Sequence, residues 1–275
     1  MMSRRWLIAT MAAAACAVAV AAPRAQNQVA RAQAYDELLD VNVRDGLVYY
    51  RALKGQRGRL DAYVASLAEV ALDAESREEQ IAFWLNAYNA VVLRTVIDHY
   101  PIPQRSRAYP DHSLRQIPGA FEQQAHRIGR RTVTLDQIEQ TVLPAFQDPR
   151  VYLALGRGAV GGGRLRSEAY DAARLETQLA EAAAECITGA RCVDVDRPGN
   201  KLKVSAIFSW REKEFVAAYA GRAGSVFAER SPIERAVLAF AEPRLLASER
   251  EFVDKNMFKL EYIPFDWSLN DLTGR

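Results

Sequence analysis

The sequence predicts an α+β fold, a helix-rich single domain with a small antiparallel sheet built from hairpins. Apolar residues recur at helical spacing over several segments, and these segments outnumber the stretches that alternate as strands do. The predicted strands come in pairs around turn residues. No repeat and no low-complexity linker divides the chain, and 49% of its residues are apolar, which is enough for one sizeable core.

The longest predicted helix runs from about 77 to 99. Ser76 and Glu79 form a capping box at its start, and Pro101 lies just past its end. The helix is apolar almost all round, so we expect it to be buried. Asn86 and Asn89 lie three residues apart on one face, where each amide must find a partner. They are either structural braces, the commoner case, or ligand contacts.

Turn signals predict three hairpins. The first spans 41–50 and turns at Asp45-Gly46, the second spans 125–134 around Gly129, and the third crosses 197–200 between Cys192–Asp196 and Lys201–Val204. The apolar run Val151–Leu155 predicts a short buried strand.

Further helices are predicted from spacing and caps. Leu60, Tyr63, Val64, Leu67 and Val70 have helical spacing, as do residues of a short helix near Tyr35 to Leu39. A capping box opens a helix from Thr134 to Leu143, a long helix is predicted from Ser167 to Cys186, and Ser231-Pro232 marks another start.

The first residues have the pattern of an export signal. Arg4 and Arg5 precede an apolar, alanine-rich run, and Ala19-Val20-Ala21 suits a signal peptidase, so residues 1–21 are predicted to be removed, with cleavage as late as 25 as the outer limit. The route is the twin-arginine or the general secretory one. We therefore expect a periplasmic or extracellular protein with one globular domain over 30–275 and no membrane span after processing.

The net charge and the cysteines further limit which classes of protein this chain can belong to. The formal charge is +2, and loss of Arg4 and Arg5 brings it to about zero, which gives no electrostatic case for nucleic acid. Cys186 and Cys192 remain, spaced for a bridge between a helix end and the next strand; the alternative is two unpaired thiols. The histidines lack neighbours at ligand spacing, so no metal and no other cofactor is predicted.

Seven segments, in order from about 35 to 270, resemble the family known as domain of unknown function 547. They are DGLVYY (45–50), AFWLNAYN (82–89), LDQIE (135–139), DPRVYLAL (148–155), LRSEAY (165–170), IFSW (207–210) and YIPFDWSLN (262–270). The resemblance implies a common fold and a set of candidate site positions, and it carries no assigned reaction.

The chain departs from that family in one segment and at one helix position. Many relatives have cysteines in the segment 155–164 and a histidine after the Ile-Glu pair, where this chain has Arg157, Gly162 and Gln140. Thiolate chemistry requires the thiol. A thiol enzyme is therefore disfavoured.

The glycine-rich segment 156–166 has two interpretations. Its GRGAVG start matches a dinucleotide fingerprint, but no helix opens at the last glycine, so we predict a loop. With backbone amides left free by glycine, Arg157, Arg164 and Arg166 would bind a carboxylate or phosphate. Alternatively, the arginines pair with local acids.

Together, these residues predict one polar centre of Asn86, Asn89, Glu139 and the loop arginines. Glu139 is either a brace or a general base. The leading functional hypothesis is a binding or accessory module that holds a small anionic ligand or a partner peptide in a cleft. The alternative is a hydrolase-like enzyme that uses a carboxylate in place of the cysteine. The sequence leaves the oligomeric state open.

Overall fold

The computed structural model describes residues 30–189 and 192–273, and it confirms a helix-rich α+β fold. The predicted signal peptide lies outside these residues. The α-helices are α1 (30–42), α2 (Tyr50–Gly55), α3 (Gly58–Ser66), α4 (Arg77–His99), α5 (Leu135–Gln137), α6 (Leu175–Thr188), α7 (Ala206–Trp210), α8 (Glu212–Tyr219), α9 (Pro232–Ala241) and α10 (Ala247–Asp254). None of them is long and apolar enough to cross a membrane.

Helix α4 packs within the hydrophobic core, and its observed bounds, Arg77–His99, agree with the predicted range of about 77 to 99. The Ser76 Oγ atom accepts a hydrogen bond from the Glu79 amide at 3.1 Å, and the Glu79 carboxylate accepts one from the Ser76 amide at 2.7 Å. The capping box thus satisfies amides that have no partner inside the helix. Most residues of α4 from Ile81 to Ile97 are buried, as expected for a helix that is apolar on all sides.

All three predicted hairpins are present. They are β1 (Val43–Arg44) with β2 (Leu47–Val48), β3 (His126–Ile128) with β4 (Arg131–Val133), and β5 (Val193–Asp196) with β6 (Lys201–Ser205). In the first turn Asp45 and Gly46 have φ angles of 52° and 80°, the left-handed pair that a tight two-residue hairpin needs. Gly129 and Arg130 adopt the same conformation in the second turn, at 57° and 61°.

The largest sheet gains a strand that local patterns did not predict. Strand β7 (Lys259–Ile263) pairs in parallel with β6, with Leu202 opposite Leu260. The chain leaves β6 and returns through helices α7 to α10, so the pairing joins residues far apart in sequence. The three-stranded sheet is therefore mixed, with the order β5-β6-β7.

Two local predictions were wrong. The predicted strand Val151–Leu155 belongs to a short 3-10 helix, Pro149–Leu153, in which the Asp148 carboxylate accepts a hydrogen bond from the Arg150 amide. A short apolar run does not distinguish a strand from a buried helical turn. The helix predicted from Ser167 begins only at Leu175. In the preceding loop, the Ala169 amide donates to the Asp36 carboxylate and the Tyr170 amide donates to the Asn86 side chain, so these amides are held by side chains from other elements.

The C-terminal segment 268–272 connects the first hairpin with the glycine-rich segment. Val48 donates its amide to the Asn270 carbonyl, and Leu272 donates to the Val48 carbonyl. On the other side, Ala159 pairs with Leu269 in an isolated antiparallel bridge. The two parts of the predicted site are therefore fixed to one strand-like segment from the far end of the chain.

Candidate functional site

The glycine-rich segment is a packed loop and confirms that no helix opens there. A Cβ atom on Gly163 would lie 1.9 Å from the Leu153 carbonyl oxygen, and one on Gly162 would lie 2.4 Å from that of Gly156. The glycines are needed for this close backbone approach. Backbone carbonyls accept the amides of Ala159, Val160, Gly161, Gly162 and Gly163. The expectation that glycine leaves these amides free for an anion was wrong.

Arg157 is buried and directed inward. Its side chain is 2% exposed, and its Nη2 atom donates to the Glu139 Oε2 atom at 2.7 Å. Its Nη1 atom donates to the Tyr152 carbonyl at 3.1 Å. The guanidinium is therefore already bound to an anion of the protein itself.

Glu139 lies in a π-helical turn, Ile138–Val142, that follows α5. Its Oε1 atom accepts a hydrogen bond from the Tyr88 hydroxyl, and its Oε2 atom accepts from both Arg157 and Arg211, the latter at 3.1 Å. Burial opposes ionisation of this carboxyl, but the charge and hydrogen bond of Arg157, with the hydrogen bond from Tyr88, hold its pKa below the usual value. Glu139 is an ionised carboxylate with donors on both oxygens.

Arg211 is a member of this cluster that the sequence reasoning missed. Its Nη1 atom donates to the Gln140 amide oxygen at 2.8 Å, and its guanidinium lies 4.3 Å from the centre of the Tyr152 ring. Gln140 and Arg157 occupy the positions where the family resemblance leads us to expect a histidine and a cysteine. Gln140 accepts a hydrogen bond from Arg211, Glu139 accepts one from Arg157, and Arg211 also donates to Glu139, so the two positions belong to one hydrogen-bonded cluster. Arg211 directly follows the segment 207–210, one of those that resemble the family, and this position was the available sequence signal for its role in the site.

Asn86 and Asn89 each bind backbone groups with both ends of the amide. The Asn86 side chain accepts from the Tyr170 amide and donates to the Tyr170 carbonyl, each at 2.8 Å. The Asn89 side chain accepts from the Gly156 amide at 2.9 Å and donates to the Ala154 carbonyl at 3.1 Å. This geometry is that of structural braces, which fix two loops to α4.

Arg164 and Arg166 lie in a different place from Arg157. They line a cleft of about 540 Å³ between the first hairpin, α1 and α6. Arg164 pairs with Asp45 at 2.8 Å and with Glu185 at 3.0 Å. Arg166 pairs with Glu168 and with Glu181, both at 2.6 Å. The structure does not bring the predicted residues into a single polar centre.

The lining of this cleft is acidic. Six carboxylates and three arginines line it, an excess of three negative charges, and they are Asp36, Asp40, Asp45, Glu168, Glu181 and Glu185 with Arg164, Arg166 and Arg174. The cleft arginines are paired, since Arg174 also binds Glu168 at 3.0 Å. Asp40 is exposed, and its carboxylate has no ion-pair partner among the residues that the structure describes. A ligand that carries only negative charge would meet net repulsion here.

Glu168 is the most strongly held of the cleft carboxylates. Burial opposes its ionisation, but hydrogen bonds from Gln178, Arg166 and Arg174 outweigh that effect and lower its pKa from 4.5 to about 2. It therefore stays ionised at neutral pH and contributes to the negative potential of the cleft.

The described residues contain no cluster of potential metal ligands. Within residues 30–189 and 192–273, no group of three or more His, Cys, Asp or Glu side chains is placed to hold a metal ion. A disulfide joins Cys186 and Cys192, with the Cα atoms 5.1 Å apart.

One family model matches the chain, over residues 72–187, and its description is "Protein of unknown function, DUF547". The match covers α4, the π-helical turn, the glycine-rich loop and most of α6. It confirms the resemblance for the four segments that lie within this range, 82–89, 135–139, 148–155 and 165–170. A search of curated proteins found no match, and a search of solved structures found none either.

Proposed function

We propose that this chain, which belongs to the DUF547 family over residues 72–187, is a binding module that holds a peptide-like ligand in the cleft of Arg164 and Arg166. The observation that carries the proposal is the charge pattern of that cleft. Its arginines are already paired with carboxylates, and three negative charges remain in excess.

The charge pattern favours a peptide over a purely anionic small molecule. An amine or guanidinium group of the ligand would be attracted to Asp36 and Asp40, which line the cleft and lie outside the arginine pairs. A carboxylate of the same ligand would compete with Glu168 or Glu181 for Arg166. A ligand with both charges satisfies the two kinds of group at once.

The Glu139 cluster supports binding over catalysis. A carboxylate nucleophile or general base must reach the reacting atom with a lone pair. Both oxygens of Glu139 accept hydrogen bonds from protein side chains, and the carboxylate is buried. Arg157 fills the position where the family resemblance implies a cysteine, and its guanidinium belongs to the same ion pair. No feature of this cluster favours a hydrolase.

We also propose that the protein is exported. The charged start and apolar run of residues 1–21 support this, as does the disulfide, because disulfides persist in oxidising compartments. Intact-mass measurement of the protein from the periplasmic fraction tests it. A mature chain that begins near Ala22 is expected, and a chain that retains Met1 contradicts export by cleavage.

Titration calorimetry tests the ligand class. The probes are the tripeptide lysyl-alanyl-alanine, which carries both charges, and citrate, which carries only negative ones. We expect the peptide to bind and citrate to fail. Binding of citrate without binding of the peptide would overturn the proposed ligand class.

The variant Asp40→Asn, with Glu37→Gln as its matched control, tests the location. Both change an exposed acid of α1 to its amide, but only Asp40 lines the cleft. Loss of one exposed charge contact is worth up to about 1 kcal/mol, so Asp40→Asn should weaken peptide binding by about threefold to fivefold. Glu37→Gln should leave it unchanged. Equal effects of the two variants would place the ligand elsewhere.

A further inference from the structure

A second cavity adjoins the cleft at the ion pairs of Arg164. It has a volume of about 310 Å³ and lies between the glycine-rich loop, the end of α6 and Cys192. The two cavities share Asp45, Arg164 and Glu185 among their lining residues. Arg164 donates a hydrogen bond to each of these carboxylates, so its side chain stands at the common boundary. A ligand in the cleft therefore lies next to the second cavity.

The second cavity differs from the cleft in its chemistry. Among the described residues that line it, none carries a charge besides the three at the boundary. Its walls are formed largely by the side chains of Leu153, Ala182 and Ile207 and by the Cys186–Cys192 disulfide. The cleft is lined by acids and arginines, whereas this cavity presents mostly carbon and sulfur.

The polar groups of this lining already have partners. The hydroxyl of Thr188 donates to the Ala184 carbonyl at 2.9 Å. The backbone amides of Gly162, Gly163 and Gly189 donate to other backbone carbonyls. A polar ligand group would lose its hydration here and find these donors occupied, while an apolar group gains by leaving water.

The cavity is open to solvent and large enough for a side chain. Thr188 and Gly189 are exposed, as is Asp45 at the boundary. Its volume of about 310 Å³ exceeds the roughly 150 Å³ of an apolar cavity that binds benzene in another protein. A side chain of the size of leucine therefore has room to enter.

We propose that this cavity is an apolar subsite, which binds a leucine-sized side chain of the peptide held in the adjoining cleft. This inference rests on the proposed function and names a second determinant of ligand choice. The positive charge of the peptide lies by the cleft acids Asp36 and Asp40, and the apolar side chain enters past Arg164. Burial of that side chain adds affinity that exposed charge contacts supply only weakly.

Titration calorimetry with the wild-type protein tests the subsite. The probes are lysyl-alanyl-alanine, lysyl-leucyl-alanine and lysyl-alanyl-leucine. We expect one of the leucyl peptides to bind at least about tenfold more tightly than lysyl-alanyl-alanine, because it buries three additional carbon atoms. Asparagine in place of that leucine, which has a similar size but is polar, should give a gain of less than about threefold. An equal gain from asparagine would overturn the apolar character of the subsite.

The variant Ala182→Phe, with Ala184→Phe as its matched control, tests the location. Both alanines lie on α6, but only Ala182 lines the cavity. A phenyl ring at position 182 would occupy the space proposed for leucine, so the gain of the leucyl peptide should fall to below about threefold. Ala184→Phe should keep the gain. A gain that Ala182→Phe leaves intact would overturn the location.

Reduction of the disulfide gives a measurement that needs no variant, which matters if Ala182→Phe does not fold. Cys186 and Cys192 line the cavity, and the rate of thiol–disulfide exchange depends on access to the sulfur atoms. At equal saturation, the tighter leucyl peptide should slow reduction by dithiothreitol at least about threefold more than lysyl-alanyl-alanine does. Alkylation followed by intact-mass measurement gives the rates. Equal rates would show that the leucine side chain does not cover the disulfide, and the subsite would be overturned.

Failure of the subsite and failure of the proposed function give different results. If lysyl-alanyl-alanine binds and neither leucyl peptide binds more tightly, the subsite is overturned and the binding function stands. If none of the peptides binds the wild-type protein, the proposed function itself has failed and the subsite fails with it.

Discussion

Arg157 and Glu139 form an ion pair of 2.7 Å whose two side chains are 2% and 10% exposed. Arg157 stands at a position where the family resemblance implies a cysteine, and Glu139 precedes the position where it implies a histidine. The pair therefore places a saturated electrostatic contact where thiol chemistry would need an accessible nucleophile.

Arg157→Ala is expected to destabilise the fold strongly. It leaves Glu139 buried with Arg211 as its remaining charged partner, and breaking a buried ion pair from one side costs about 3 to 5 kcal/mol. Urea denaturation measures the loss. Arg127→Ala, which breaks an exposed pair with Glu69, is the control and should change stability by less than about 1 kcal/mol. Similar small losses in both variants would show that the buried pair does not stabilise the fold.

Asn86→Leu and Asn89→Leu should each lower the free energy of unfolding. Each variant removes two hydrogen bonds and leaves a backbone amide and carbonyl without the partner they have now, which costs about 1 to 3 kcal/mol. Thermal denaturation is the measurement. A melting temperature equal to that of the wild type, together with lost peptide binding, would refute the brace and assign the residue to the ligand site.

His126 should make stability fall as the solution is acidified. Burial, and then the charge of Arg94, lower its pKa from 6.5 to about 4 in the folded protein. Between these values the unfolded chain binds the proton more readily, so stability is full above about pH 6.5 and falls towards pH 4 by about 2 to 3 kcal/mol.

His126→Asn isolates this effect, because the Asn side-chain oxygen can still accept a hydrogen bond from Arg94, now made to the ring Nδ1 atom at 3.2 Å. Urea denaturation between pH 6.5 and 4.5 should show a shallower slope for the variant. This window lies above the range in which Glu168, with its pKa of about 2, loses its contribution. Equal slopes would mean that His126 titrates normally in the folded state.

The Cys186 and Cys192 disulfide should stabilise the end of α6 against the start of β5. Closing so short a loop contributes about 2 kcal/mol in the chain-entropy model, so a reductant should lower the unfolding free energy by that amount. The double variant Cys186→Ser, Cys192→Ser is the control and should not respond to the reductant. Alkylation of both cysteines in the unreduced wild-type protein would exclude the bridge.

The sequence by itself determined the elements whose signals are local. Ser76 and Glu79 fix the start of α4 because a capping box involves residues three apart, and Asp45-Gly46 fixes the first hairpin because those residues adopt the left-handed conformation at little cost. The need of Asn86 and Asn89 for buried partners also followed from the sequence, because an apolar helix leaves no water for their amides.

Only the tertiary structure decided which distant groups meet. A pattern of buried positions says which face is covered but not what covers it, so the parallel pairing of β7 with β6, the approach of Arg211 to Glu139 and the bonding of Asn86 to Tyr170 had no local signal. Arg157 and Arg164 are seven residues apart, and the packed glycine turn between them sends one guanidinium into the core and the other to the cleft. Their separation follows from backbone contacts with Leu153 and Asp266, which bring together parts of the chain that the sequence keeps apart.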